Sequence, residues 1–436
     1  MGTQSQVVDR LRSAFRSGVT IPEQFRQTQL TKLMSMIKDN EEQILDALHK
    51  DLAKPKFEAI ISEVDIVINE LHYAITNFTS WMQPEYVGKN LATKLDDCFV
   101  RREPLGVVLI IGPWNYPLQL LVSPLVAAIA AGNCAVIKPS EVSAATDSLI
   151  AELIPKYLSQ DCFAVVRGGP EETKVLLQNR FDHIFYTGSQ TVARSILQAA
   201  SVHLTPVTLE LGAPDFVLCS QSTRDALLPA LRETLEEFYS KAPQKCPDLS
   251  RIVSPRHWTR LMELLGRSNG KVVLGGESNQ EDKYIAPTVV VDVAEDDALM
   301  EEEIFGPILP ILTVESLEEG ISFINRREKP LALYVFSEDS SVIKTVLEKS
   351  SSGGFCSNDG IVHMSLPTLP FGGVGASGWG SYHGRWGFET FSHRRGCMLR
   401  GWALERINSL RYPPYTEENL NWLRWTTSAK RSCTLM

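Results

Sequence analysis

The sequence predicts an α/β fold built on a doubly wound parallel sheet, and three observations carry that prediction. Residues 106–140 read as strand, helix and strand, the strands of that unit are predominantly apolar, and the same alternation continues to about residue 212. A strand that is apolar on both faces is one covered by helices on both sides, which is the condition of a parallel sheet.

Taken in order, residues 1–82 are expected to be helical, because "TKLMSMIKDNEEQILDALHKDL" (31–52) sets apolar residues three and four apart with charges between them. "PEYVGKNLATKLDDCFVRREP" (84–104) is polar and irregular and predicts an extended excursion with short strands. "GVVLIIGPWNYPLQLLVSPLVAAIAAGNCAVIKPS" (106–140) gives a strand ending in Gly-Pro, a buried helix, a Gly-Asn turn and a second strand. Helices follow near 144–158, 171–179 and 191–200, with strands in "CFAVVRGG" (162–169), "FDHIFYTGS" (181–189) and "PVTLELG" (206–212). The second half alternates again. Helices are expected near 224–239 and 255–266, and strands in 270–276, 301–314, 332–339 and 352–359.

Composition narrows the function. Charged residues make up 22% and hydrophobic residues 44% of the 436, as in ordinary globular proteins. The formal net charge of −9 argues against nucleic acid as a partner, because a phosphate-binding surface needs a basic face. None of the eight cysteines is spaced as Cys-x-x-Cys, and no His pair accompanies them at zinc-ligand spacing. The expectation is a reduced, intracellular protein without a structural metal. The most apolar region, 105–139, is broken by Pro113, Asn115, Pro117, Pro124 and Gly132, so it reads as core and not as a membrane span.

Several motifs suggest chemistry. In "GPWNYP" (112–117), Asn115 sits on a Pro-bracketed turn directly off a strand, where its amide suits an oxyanion hole or simply holds the turn. "KPSE" (138–141) places Lys138 at the carboxyl end of a strand, where α/β sheets bind nucleotides. "YTGSQTVAR" (186–194) puts Gly188 and Ser189 at a helix entry, a place for a pyrophosphate. In "EEIFGPILP" (302–310), Glu303 can accept ribose hydroxyls while Phe305 packs against a nicotinamide. "LPFGGVGASGWG" (369–380) is a Gly-rich loop with an aromatic anchor.

Together and in this order, "PWNYP", "KPSE", "FYTGS", "LELG", "EEIFGPILP" and "PFGGVGASG" resemble the aldehyde dehydrogenase superfamily, and their wording is similar to its class 3, the membrane-attached, prenylated branch above all. The likeness runs from about residue 5 to about 400. It implies an NAD(P)-binding domain over 1–83 and 105–212, and an oligomerisation arm over 84–104 and about 378–400. It implies a catalytic domain over 213–377 and a separate tail over 401–436. It implies NAD or NADP as cofactor, with Lys138 and Glu303 on its ribose hydroxyls, Gly188 and Ser189 at its pyrophosphate and Phe305 at its nicotinamide. It also implies oxidation of medium- and long-chain fatty aldehydes to acids through a cysteine thioester, with Asn115 as oxyanion donor and Glu210 as general base. A homodimer, or a heterodimer with intact relatives, is the implied assembly.

One part of the pattern is missing. In the family, the "LELGG" strand is followed by several dozen residues that end in a Gly-Gln-x-Cys nucleophile loop, and only then by a segment like "APDYVLC". Here Gly212 runs directly into Ala213-Pro214-Asp215, and no "GQTC"-like string occurs. The resemblance therefore implies a catalytic domain truncated between Gly212 and Ala213, and a chain that is inactive or severely impaired. The other reading is a non-catalytic member that binds cofactor or pairs with intact subunits. Cys219, Cys246 and Cys134 are poor substitutes for the lost thiol, since misplacement by 1 Å is already costly in such sites. Were strands 206–212 and 215–219 parallel neighbours, their crossover would need roughly a dozen residues. One of them is then expected to shift, fuse with the other or leave the sheet, which lowers stability.

The tail 394–436 holds eight Lys or Arg against three Glu, a net charge of +5. It ends in Cys433-Thr434-Leu435-Met436, a C-a-a-X box whose terminal Met favours farnesyl, with exceptions toward geranylgeranyl. Lys430 and Arg431 supply a second, electrostatic signal, and Trp422 and Trp425 suit a membrane interface. The expected location is the cytoplasmic side of membranes or a lipid droplet, with a cytosolic pool.

Overall fold

A computed structural model describes residues 4–402 and 405–428. The chain opens with helices α1 (Gln4–Arg16), α2 (Glu23–Asp39), α3 (Glu41–Leu52), α4 (Lys56–Ala59) and α5 (Asp65–Trp81). Helix α2 buries Leu30, Leu33 and Ile37, a single stripe at helical spacing, and α3 buries Ile44, Leu45, Leu48 and Leu52 in the same manner. Strands β1 (Glu85–Tyr86) and β2 (Asp97–Pro104) then leave the body.

The doubly wound unit follows: β3 (Val107–Ile111), α6 (Gln119–Ala131), β4 (Cys134–Lys138), α7 (Ala144–Tyr157), β5 (Phe163–Val165), α8 (Pro170–Leu176), β6 (His183–Gly188), α9 (Gln190–His203) and β7 (Val207–Leu211). All five residues of β3 and of β4 are buried, as their unbroken apolar runs predict. Every residue of α6 is buried too, so it fills the core between the sheet and the amino-terminal helices. It ends at Gly132, whose φ of 92° lies in the left-handed region, and a Cβ there would fall 2.6 Å from the Arg26 guanidinium.

The remaining elements are β8 (Val217–Cys219), α10 (Gln221–Tyr239), α11 (Pro255–Arg267), β9 (Lys271–Leu274), β10 (Ser278–Asn279), β11 (Tyr284–Ile285), β12 (Thr288–Val291), β13 (Ile308–Thr313), α12 (Leu317–Arg326), β14 (Ala332–Val335), α13 (Ser340–Lys349), β15 (Gly354–Ser357), β16 (Gly378–Trp379), α14 (Gly384–Thr390), β17 (Ser392–Leu399), α15 (Glu405–Asn408) and α16 (Glu417–Thr427). The large sheet has the order β16-β7-β6-β3-β4-β5, parallel except for β16. A second sheet, β8-β13-β12-β9, has its own cores, one of which seats Leu227, Leu228, Leu231 and Leu235 of α10.

The structure corrects the expected conflict at the junction. β7 remains in the large sheet, whereas β8 joins the second sheet alongside β13. They are not neighbours, so no crossover is required, and the segment from Gly212 to Phe216 passes from one sheet to the other. Five extended residues reach about 16 Å, enough for such a step. The stretch 378–400 also divides. β17 pairs with β2 along its length, from Ser392 opposite Pro104 to Leu399 opposite Asp97, while β16 completes the large sheet and α14 packs on α5 and α6.

Candidate active site and cofactor edge

Glu210 lies near the carboxyl end of β7, opposite Thr187 of β6 in the parallel register and opposite Gly378 of β16 on its other side. It is only 7% exposed, and its Oε2 has no hydrogen-bond partner; neither do the hydroxyls of Thr187 and Tyr382 beside it. Burial pushes the Glu210 carboxyl up to about 7. A carboxyl poised there exchanges protons near neutrality, which suits a general base.

The Asn115 turn is held from below. The Lys54 ammonium donates to the Asn115 carbonyl at 3.0 Å and to Glu63 Oε1 at 2.5 Å, and lies 4.3 Å from the centre of the Tyr116 ring. Glu63 Oε2 in turn accepts the N–H groups of Leu118 and Gln119 at 2.9 and 3.2 Å, the orphan donors at the start of α6. The Asn115 side-chain oxygen is buried without a partner. Trp114, next to it, meets both Phe305 and His257 edge-on at 5.0 Å.

Glu303 lies against the junction. A Cβ built on Gly212 would fall 1.6 Å from Glu303 Oε2, so the carboxylate packs directly on that glycine. Burial first and then Asp215 push Glu303 up to about 8, with Glu210 adding to this and Arg260 opposing it. Burial alone raises Asp215 to about 6. Two residues on, Phe305 holds φ at 54°, a strained value for a bulky residue.

At the sheet edge, Lys138 ends β4 with its Nζ on the Pro139 carbonyl (3.0 Å) and Glu141 Oε2 (3.1 Å). Gly188 ends β6, where a Cβ would fall 2.3 Å from the Tyr186 hydroxyl oxygen, and Ser189 caps α9 by accepting the Val192 N–H. β3, which leads to Asn115, lies between those two strands. The structure therefore sets Lys138, Gly188 and Ser189 along one edge, Glu210, Glu303 and Asp215 at the junction, and Phe305 beside the Asn115 turn. Cys433 lies outside the described residues. Sequence reasoning missed Lys54, Glu63, Asp215, His257 and Tyr382; the one local signal was a Glu inside the apolar run "AIISEVDIVI".

The thiols weighed as substitutes lie on other elements. Cys219 is the last residue of β8, its thiol raised by burial. Cys246 donates to the Phe238 carbonyl at 3.9 Å. Cys134 opens β4, four residues from Lys138 and so about 13 Å from it along the strand.

The acidic junction makes stability depend on pH. The folded carboxyls of Asp215, Glu210 and Glu303 sit above their ordinary values, so the native chain keeps protons that the unfolded chain releases. The stability they contribute is full below about pH 4 and is lost as pH rises through about 6, 7 and 8 in turn. Glu303→Gln is expected to stabilise the chain at pH 8, on the order of 2 kcal/mol, and to change little at pH 4. Thermal melts at the two pH values check this, and equal shifts at both contradict it.

The aldehyde dehydrogenase family model matches residues 4–265 and 217–396. The chain is 51% identical to aldehyde dehydrogenase family 3 member B1 of Rattus norvegicus, covering 98% of each protein. It is 45% identical to family 3 member A2 of the same species, over 96% of this chain and 93% of that one. The alignment with the B1 protein spans 464 positions against the 436 residues of this chain, so at least 28 positions have no residue here. Among solved structures, the substrate-bound state of Staphylococcus aureus AldH superposes with a TM-score of 0.93 at 39% identity, over 97% of this chain and 99% of that one. An indole-3-acetaldehyde dehydrogenase in complex with NAD+ shares the fold at a TM-score of 0.83 and 23% identity, over 91% and 89%.

Proposed function

This chain belongs to the aldehyde dehydrogenase family, class 3, and on that premise we propose that it is a member whose nucleophile-bearing block is absent, leaving a cofactor-binding scaffold without thioester chemistry. The observation that carries this reading is the junction itself: Gly212, two residues after the buried base Glu210, continues at once into Ala213-Pro214-Asp215 and β8. The surplus of aligned positions over residues, and a family match in two stretches that overlap at 217–265, support a block lost near this point.

The chemistry explains why the loss is decisive. Hydride leaves an aldehyde carbon once a thiolate has added to it, and the acyl group is released when water attacks the resulting thioester. With no thiolate, Glu210 has neither a thiol to deprotonate nor an acyl group to hydrolyse. The Asn115 amide has no alkoxide to meet, and the backbone N–H that would complete the oxyanion hole is missing as well.

The cofactor edge fits a dinucleotide, as the family and the NAD+-bound neighbour suggest. Lys138, Gly188 and Ser189 would hold the adenosine ribose and pyrophosphate of NAD or NADP at the carboxyl ends of β4 and β6. Bound NAD or NADP would be the hydride acceptor. Glu303 would have to turn away from Gly212 and Asp215 to reach a ribose hydroxyl, and Phe305 would line the nicotinamide beside Trp114. The substrate class of the intact site is a medium- or long-chain fatty aldehyde. Cofactor reduction with such an aldehyde, with and without the missing block, tests the reading.

The tail is proposed as a peripheral membrane anchor, supported by the C-a-a-X box at Cys433 and by aromatic side chains held in water. Trp402 is 97% exposed, and Trp422 and Trp425 are half-exposed on α16. Among the described residues no helix is long and apolar enough to cross a membrane. Cys433→Ser is expected to move the chain from the membrane or lipid-droplet fraction to the soluble one; unchanged fractionation contradicts the anchor. Pairing with itself or with intact relatives belongs to the same proposal, through the sheet of β1, β2 and β17.

A further inference from the structure

β4 and β5 run parallel at the edge of the large sheet, pairing Ala135 with Phe163, Val136 with Ala164 and Ile137 with Val165. The same register carried back one residue sets Cys134 opposite Cys162, and the Ala135 N–H donates to the Cys162 carbonyl at 2.9 Å. Residues opposed in register point their side chains to the same face of a sheet. Both side chains are 0% exposed, and both are free thiols. Neighbouring strands lie about 4.8 Å apart, within the roughly 4.4–6.8 Å that a disulfide spans between Cα atoms. Among the described residues no other two cysteines stand opposite each other in a strand register: Cys98 faces Met398, Cys397 faces Phe99, and Cys356 faces Tyr334.

We propose that Cys134 and Cys162 form an oxidisable dithiol, which a peroxide converts to a disulfide that staples the edge strand β5 to β4. Cys162 is the attacking sulfur. It ends the turn in which Gln160 and Asp161 are exposed, so a short local opening reaches it, and the neighbouring Cys134 holds its thiol below the ordinary range while Cys134 itself is raised. The Cys162 sulfur attacks one peroxide oxygen and water leaves, giving a sulfenic acid. The Cys134 sulfur then attacks the Cys162 sulfur and a second water leaves. Two thiols and one peroxide thus become one disulfide and two waters. The bond closes a loop that contains Lys138 and α7, and it pins a three-residue strand at the edge of the large sheet.

The test uses the full chain in its native state, treated with hydrogen peroxide below its melting temperature, quenched with acid, alkylated in denaturant and digested with trypsin without reductant. The peptide Tyr157–Arg167, which carries Cys162, is expected joined to the peptide carrying Cys134, two hydrogens lighter than their sum and separable by dithiothreitol. The thermal midpoint is expected to rise with oxidation and return on reduction, and Cys134→Ala is expected to abolish both effects. Recovery of both peptides as separate alkylated species, or of Cys162 as a sulfinic acid without the link, while other cysteines have reacted, overturns the proposal. The wild-type digest decides alone should the variant fail to fold.

Discussion

Incubated with a long-chain aldehyde and NAD or NADP, this chain is expected to produce no reduced cofactor above background. Inserting the nucleophile block of a full-length class 3 relative between Gly212 and Ala213 is expected to raise the rate by about 10⁴-fold or more, the scale on which removal of a catalytic nucleophile acts. The size of the effect follows from what survives. Glu210 is a buried carboxyl at about 7, and the Asn115 turn is fixed by Lys54, so the groups proposed as base and oxyanion donor are in place. Such remnants contribute only when a tetrahedral adduct forms between them. The Glu303 carboxylate packs on Gly212, so a block inserted after that residue would have to displace it.

The second large effect is expected at Lys54. Its ammonium and the Glu63 carboxylate are 5% and 0% exposed, and burial, the leading influence, raises Glu63 against the opposing pull of Lys54. Removing one partner of such a pair strands the other as an uncompensated charge, at a cost of about 3–5 kcal/mol. Lys54→Met is therefore expected to lower stability by that amount in a denaturant melt. Lys54→Met combined with Glu63→Gln is expected to recover most of the loss, because the amide stays neutral and its oxygen can still accept from Leu118 and Gln119. A double variant no more stable than the single one would contradict the ion-pair account.

These two cases mark what the sequence could reveal. The large sheet was legible because β3 and β4 are buried at every position, and that condition is written locally as an almost unbroken apolar run. The motif residues were legible because Lys138 and Gly188 end β4 and β6, and Glu210 stands one residue before the end of β7. Pairing across distance was not. Lys54 reaches Asn115 from 61 residues away, and Tyr382 meets Glu210 from the far end of the chain, contacts that no periodicity encodes. The junction was misjudged on related grounds. "PVTLELG" and "FVLC" are both apolar strands, and nothing local says that one joins β6 while the other joins β13. Cys134 and Cys162 lie 28 positions apart, a spacing that means nothing until the strand register opposes them.

Covalent trapping tests the absence of a nucleophile most directly. The chain would be incubated with a fatty aldehyde and NAD, quenched with acid to preserve any thioester, and weighed intact by mass spectrometry. The account predicts an unchanged mass, while the chain with the restored block gains one acyl group. An acyl adduct on Cys219, Cys246 or any other cysteine of the present chain would contradict it.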